Sequence, residues 1–302
     1  MLDRSIFAVI VTYHPQSFLV DHLASIKSQV KQVVVVDNTE DDSSQNILSI
    51  LKEQGCHVIK NNANLGIGRS QNLGIHWAIE KGCTWVLTLD DDTIIYDGLI
   101  ELYTHALDDH LGLKNAGIIS TQYIDINSGQ VLGAPGQRGS EGRWLRTDFL
   151  ISSGSFFSVE TFTKAGGFRE EFFLDWVDHD FCFKVRCLGL NNFIYTKPMF
   201  EHAMGHKTQH KIPLVNMMVT TNNHPAGRCY LIARNLLVLI KESFLKNPGL
   251  SLFYIMYLAH KFALLLFFEQ DRRNKLSFFV QGVRDALCNR GCSYQDTVNR
   301  MA

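Results

Sequence analysis

The chain has 302 residues, of which 46% are hydrophobic and 20% charged. Such a chain buries a full core, which excludes a disordered polypeptide. A formal net charge of -1 excludes recruitment of nucleic acid through a global positive field, and no nucleic acid partner is expected.

The first predicted element is a strand over Ile6–Thr12, a continuous apolar run. With no basic leader and no small-residue cleavage site around it, it reads as a core strand and not as a signal peptide. Pro15 sits at a helix start, and Phe18, Leu19, His22, Leu23 and Ile26 recur at helical spacing. Gln32–Val36 is a second apolar strand, ending in Asp37-Asn38. The polar run Asp41–Ser44 leads a helix carrying Ile47, Leu48 and Leu51, closed by Gly55. A short strand over His57–Lys60, a Gly/Asn-rich loop over Asn61–Arg69 and a third helix to about Lys81 follow. Thr84–Leu89 is a fourth strand, Leu99–Leu107 a helix and Ala116–Ser120 a fifth strand. This alternation predicts right-handed βαβ units and a mostly parallel sheet, an α/β fold.

The pattern breaks over residues 122–147, rich in Gly, Ser and Arg, which read as a loop or small excursion. It resumes with Phe149–Phe157, Gly166-Gly167-Phe168 and a helix from about Val177 to Cys187. From about Ala226 two strongly apolar helical stretches appear, Tyr230–Ile240 and Leu250–Phe268, separated by Asn247-Pro248-Gly249. His260-Lys261 interrupts the second, at a cost of roughly a few kcal/mol in lipid. Core packing or a homodimer contact is the first expectation for these helices, peripheral attachment to a membrane surface the second, and a true span the last. The seven cysteines form no C-x-x-C pair, which suits free thiols in a reducing compartment, so a cytoplasmic location is expected.

Chemistry concentrates in a few places. The β-prone run Trp85–Leu89 ends in Asp90-Asp91-Asp92. A buried strand delivers its last residues to the sheet edge where α/β proteins bind ligands. Three adjacent carboxylates need a compensating cation, and oxygen ligands suit Mg2+ or Mn2+ carrying a diphosphate. Asp37, at the end of another strand, fits a base N–H or ribose hydroxyl, and equally a cap or turn. The loop from Asn61 to Gly74 places Gly66 and Gly68 for close backbone approach and Arg69 at a helix start, where anions are favoured. It matches neither G-x-G-x-x-G nor the P-loop, because Gln71 stands at the third glycine and no Gly-Lys-Ser/Thr follows.

Phe172–Phe181 holds Asp175, Asp178 and Asp180 among aromatics. A helix starting near Val177 puts Asp178 and Asp180 in its first turns, as caps or as a base for a sugar hydroxyl. His202 and His206 are four apart in a segment that reads as a loop, either facing a metal or diphosphate or lying on the surface. Arg228 and Arg234, in an otherwise apolar helix, must pair with the acidic cluster or face a phosphate-bearing acceptor.

Taken together, these motifs resemble the inverting family 2 glycosyltransferases with a GT-A fold, in the right order from about Ile6 to Asn235. Thr12 and Tyr13 resemble the strand edge at the nucleobase, and Asp37 the base-binding aspartate. Asn64, Gly66, Arg69, Asn72 and Gly74 resemble the loop beside the donor, and Asp90-Asp91-Asp92 the metal-binding D-x-D element. Ser152–Ser155, with Ser153 and Gly154, together with Gly166-Gly167-Phe168, resembles the donor-sugar and acceptor region, where Asp175, Trp176, Asp180 and Arg234 are also candidates. Asp178 stands at the family's catalytic base, although Val177 replaces the acid that usually precedes it, and Lys184 stands where many relatives have arginine.

The segment Phe173–Phe181 and Arg234-Asn235 look closest to bacterial rhamnosyltransferases of O-antigen or other cell-surface polysaccharide. The resemblance implies transfer of L-rhamnose from dTDP-L-rhamnose to a lipid-linked oligosaccharide, with Asp178 as base and Mg2+ or Mn2+ held by Asp92 and Asp90, His206 being a further candidate ligand. It implies a GT-A domain over 1–225, with a nucleotide-sugar half to about 121 and an acceptor half over 122–225, and a helical extension over 226–302. The extension would lie against the inner membrane or in a homodimer. Another donor on the same fold, a nucleotidyltransferase or sugar-nucleotide hydrolase, and a non-catalytic scaffold are the alternatives.

Overall fold

Valine and isoleucine fill the first two strands because branched side chains suit a pleated surface covered on both faces. The computed structural model describes residues 5–108, 113, 115–133, 142–205, 208–212 and 217–289 and, for 208–212 and 217, the backbone only. The chain divides into two compact units, one of Met1–Glu170 with Asp178–Met204, the other of Glu171–Val177 with Gly205–Ala302.

The first unit opens with β1 (Ile6–Thr12), α1 (Ser17–Lys27), β2 (Gln32–Asp37), α2 (Gln45–Glu53), β3 (His57–Lys60), α3 (Ile67–Glu80) and β4 (Trp85–Asp90). It continues with β5 (Ile94–Ile95), α4 (Leu99–Leu107), β6 (Ala116–Asp125), β7 (Val131–Leu132) and β8 (Trp144–Thr147). It closes with β9 (Ser155–Ser158), α5 (Val159–Ala165), α6 (Val177–Cys187) and β10 (Asn191–His202). The strands form one sheet in the order β3-β2-β1-β4-β9-β6-β10-β5, with β7 beside β6 and β8 beside β10. The pairs among β1 to β4 are parallel, as is β6 with β10, whereas β9 runs antiparallel to both neighbours. One core packs Ile10, Val35 and Leu89 of the sheet with Leu23, Leu51 and Tyr103 of the helices.

Three features differ from the expectations. The third helix begins at Ile67, because Gly66 at φ 80° turns the chain and its N–H donates to Asn64 Oδ1 at 3.1 Å. Gly68 and Arg69 therefore lie in a helical first turn and not in the loop. The region 122–147 contains the end of β6 and the short β7 and β8; β6 runs to Asp125 with Thr121, Gln122 and Asp125 buried, polar residues that hide a strand from an apolar-run reading. The apolar stretch Phe149–Phe157 is mostly connection, with β9 starting only at Ser155.

The second unit pairs β11 (Thr208–Ile212) with β12 (Met217–Thr221) and continues with α7 (Ala226–Ser243), α8 (Pro248–Phe267) and α9 (Arg272–Leu287). Cys229, Ala233, Leu265 and Phe279 form its helical core. Gly282 lets α9 approach α7 closely, since a Cβ there would lie 2.4 Å from the Tyr230 carbonyl oxygen.

Candidate active site

Sheet register assembles the acidic edge of the first unit. β1 and β4 run in parallel with Val11 beside Asp90, and Thr12 lies beside Asp37 of β2. β9 faces β4 with Thr88 opposite Ser155, and just beyond this pairing the Asp90 N–H donates to Ser153 Oγ at 3.2 Å. The Ser153 and Thr93 hydroxyls share a 2.6 Å hydrogen bond. Gly154, at φ 76°, is required here, because a Cβ would lie 2.4 Å from the Phe200 ring. β5 pairs antiparallel with β10, Ile94 opposite Glu201, which carries His202 to the end of the acidic triplet.

His202 Nδ1 lies 2.8 Å from Asp92 Oδ1, and its Nε2 3.8 Å from Asp90 Oδ2. One ligand atom from each of Asp90, Asp92 and His202 falls within 4.8 Å of the others. Burial, with help from Asp92 and Asp178 and against His202, pushes Asp90 up to about 6. Burial and the two flanking aspartates push Asp91 to about 7. Burial opposes the charge on His202, but the hydrogen bond to Asp92 and the nearby carboxylates raise it above its usual value. Neighbouring carboxylates driven toward neutrality first by burial and then by one another favour a cation. Two carboxylates and an imidazole within mutual reach of one ion suit a divalent metal such as Mg2+ or Mn2+. Asp90 and Asp92, the expected ligands, lie within that reach. His206 lies outside the described residues, and His202 is the histidine that joins them.

Asp178 lies partly buried in the first turn of α6 and accepts the His179 N–H at 2.8 Å. Its charge reaches both Asp90 and Tyr123, whose phenol is pushed up to about 12 by burial first and then by Asp178, Asp125 and Asp90.

Other expected residues make the following contacts. Asp37 is fully buried, its Oδ1 accepting from Thr12 and Thr39 and its Oδ2 from Ser44, each at 2.8 Å. It ties the ends of β1 and β2 to the start of α2, the turn alternative given above. Asn72 spends its amide on the Phe168 backbone, donating to the carbonyl and accepting from the N–H, both at 2.9 Å. Asp180 is fully buried, with Arg169 Nη2 2.8 Å from Oδ1 and Lys184 Nζ 2.9 Å from Oδ2. Asp180, expected among the acceptor contacts, faces the interior here: two residues along a helix point to opposite sides, so Asp180 turns inward where Asp178 does not. Arg69 remains half exposed, 3.8 Å from Glu170, and Tyr13 is half exposed beyond the end of β1.

The second unit holds Asp175, Trp176 and Arg234. Arg228 grips Asp175 with two hydrogen bonds of 2.9 Å, the pairing with an acidic residue that the helix composition requires. Arg234 donates to the Glu171 carbonyl at 3.0 Å and to Asn235 Oδ1 at 2.9 Å. Its guanidinium is buried where a backbone carbonyl and an amide oxygen accept from it. Asn235 donates to the Leu174 and Asp175 carbonyls. These bonds hold Asp175 and Trp176 in consecutive left-handed conformations, φ 61° and 67°, a strained pair for residues with side chains.

The sequence profile of Glycosyl transferase family 2 matches residues 7–170. The dTDP-rhamnosyl transferase RfbF of Shigella flexneri is 30% identical over 255 residues, covering 80% of this chain and 82% of that protein. The low-salt glycan biosynthesis hexosyltransferase Agl10 of Haloferax volcanii is 26% identical over 202 residues, covering 63% of this chain and 64% of that one. Among solved structures, residues 1–349 of S. aureus TarS in complex with UDP superpose with a TM-score of 0.60 at 16% identity, covering 98% of this chain and 89% of that one. At that identity the likeness concerns the fold.

Proposed function

We propose that this chain, which belongs to glycosyl transferase family 2, transfers L-rhamnose from dTDP-L-rhamnose to a sugar hydroxyl of a lipid-linked oligosaccharide. The reaction takes place on the cytoplasmic side of a membrane, in the synthesis of O-antigen or another surface polysaccharide. The observation that carries the sugar is the 30% identity with a dTDP-rhamnosyl transferase, spread over four-fifths of both chains.

Asp178 takes the proton of the acceptor hydroxyl as its oxygen attacks the anomeric carbon. The bond from that carbon to the diphosphate oxygen breaks on the opposite face, and dTDP leaves. A single in-line displacement inverts the centre, so a β-linked donor yields an α-rhamnoside. Its place in the first turn of a helix supports this role, since the positive end of the helix favours an anionic side chain there. Asp90, Asp92 and His202 are the residues that would hold Mg2+ or Mn2+, which when bound neutralises charge on the departing diphosphate. Arg69, only loosely held at Glu170, swings to the phosphates. Tyr13 offers a ring face to the base, with Asn64 and Gly66 at the neighbouring helix start, and Ser153 and Gly154 border the sugar.

The test is a thermal-shift panel of dTDP, UDP, GDP and their sugar conjugates, with and without Mg2+ or Mn2+. Ligand at 100 times its Kd stabilises by about 2.7 kcal/mol, a shift of several degrees. A metal-enhanced shift selective for dTDP and dTDP-rhamnose is expected. A UDP-selective shift would replace the sugar while keeping the fold, and no shift with any nucleotide would overturn the reading.

A further inference from the structure

The second unit carries an apolar surface that no part of the chemistry above uses. α8 buries one stripe, Leu250, Ser251, Tyr254, Leu264 and Leu265, against its own unit. The opposite stripe carries Leu252, Ile255, Met256, Phe262, Leu266 and Phe267, which are 39–63% exposed. His260 is the polar residue on that side of the helix. A surface helix of a water-soluble unit places polar residues there. Twenty residues make a helix about 30 Å long, so the exposed face is a continuous apolar strip, far from the scattered hydrophobics of an ordinary surface. Just before it, Leu245 is 88% exposed at the α7–α8 corner.

The charges at the two ends say what covers this strip. Lys246 stands exposed before α8, and Arg272 and Arg273 stand exposed after it. Exposed Lys241 adds to Lys246 against Glu242, and Arg272 and Arg273 stand against Asp271, which leaves a positive excess of one at each end. A second copy docked on the strip about a two-fold axis would set Lys246 against Arg272 and Arg273, or each end against itself, and either arrangement brings like charges together. A surface of anionic lipid meets both ends with opposite charge. The helix is long and apolar enough to cross a bilayer, but a span would pull its inward stripe away from its partners. Leu265 packs with Cys229, Ala233 and Phe279, and the Ser251 hydroxyl makes a buried 2.7 Å bond with Ser243.

We propose that α8 lies in the plane of a membrane containing anionic lipid, its apolar strip in the acyl boundary and its basic ends on the headgroups. The inference rests on the surface of the second unit and holds whichever sugar is transferred.

The test is co-sedimentation of the full chain with vesicles of phosphatidylcholine alone and of phosphatidylcholine mixed with phosphatidylglycerol. Each net positive charge near an anionic surface strengthens attachment roughly fivefold, so the excess of one at each end gives a preference of about 10- to 100-fold for the anionic vesicles. The preference shrinks as salt rises. Leu252→Glu with Met256→Glu should weaken binding to anionic vesicles at least about tenfold with an unchanged melting temperature. Arg272→Glu with Arg273→Glu, which leaves the strip intact, should remove the lipid preference and keeps the test decisive if the first variant misfolds. Equal or absent binding to both vesicle types would overturn the proposal. So would light scattering that shows a dimer which the Leu252 and Met256 substitutions dissociate.

Discussion

Replacing Asp180 with asparagine removes one charge from a buried cluster and leaves two cations behind. The Asp180 carboxylate is fully buried, while the side chains of Arg169 and Lys184 keep 19% and 25% exposure. Removing one partner of a buried ion pair typically costs about 3–5 kcal/mol. Because both cations retain some water and Lys184 also donates to the Gly167 carbonyl at 3.2 Å, the expected loss is about 2–4 kcal/mol. For a unit of roughly 200 residues that corresponds to a melting temperature lower by about 5–15 °C. Adding Lys184→Met removes one orphaned cation, and the double variant should recover about half of the loss, a coupling that a double-mutant cycle in urea measures directly. Donor affinity at permissive temperature should stay within about threefold, since Asp180 is expected to touch no substrate. A loss below about 1 kcal/mol, or intact stability with abolished acceptor binding, would refute the inward role of Asp180.

Burial holds the His179 ring, stacked on Phe149 at 4.5 Å, down to about 3. The folded state therefore keeps it neutral where the unfolded chain, titrating near 6.5, takes up a proton; stability is fully present above that value and falls with pH toward 3. By pH 5 the contribution lost reaches up to about 2 kcal/mol, and His179→Gln should flatten this part of the urea stability curve relative to wild type, identical slopes for the two proteins counting against it. Gly154→Ala combines a left-handed φ of 76° with a Cβ 2.4 Å from Phe200, a ring already stacked on Tyr123. Strain and overpacking together should cost about 2–5 kcal/mol in a denaturant titration, and a loss under 1 kcal/mol would show that the Ser153 turn tolerates a side chain.

Much of the first unit is readable in the chain because its strands announce themselves as unbroken apolar runs, such as Val33–Val36, and its helices by Leu19, Leu23 and Ile26 at helical spacing. Asp90 and Asp92 are readable for the same reason, as carboxylates at the end of such a run. β10 is not, since Asn191–His202 includes Lys197 and Pro198 and shows no alternation. Its last residue joins the acid cluster only through the pairing of Ile94 with Glu201, a contact set by sheet register across more than a hundred residues. His202 thus carries no local mark that separates it from His206. The inward turn of Asp180 was within reach of helical geometry, because Asp178 and Asp180 are two residues apart. For Asp37 the sequence leaves a base contact and a turn equally open, because its three hydroxyl partners come from the edge of β1 and the loop that leads into α2. α9 stays hidden because its charged residues mask the spacing of Phe279, Gly282 and Ala286.

The most direct test of the account compares wild type and Asp178→Asn in rhamnosyl transfer from dTDP-rhamnose, with dTDP binding measured alongside by calorimetry. Loss of the base should reduce transfer by about 10²–10⁴-fold while nucleotide binding in the presence of Mg2+ changes little. Transfer retained by Asp178→Asn would contradict the account.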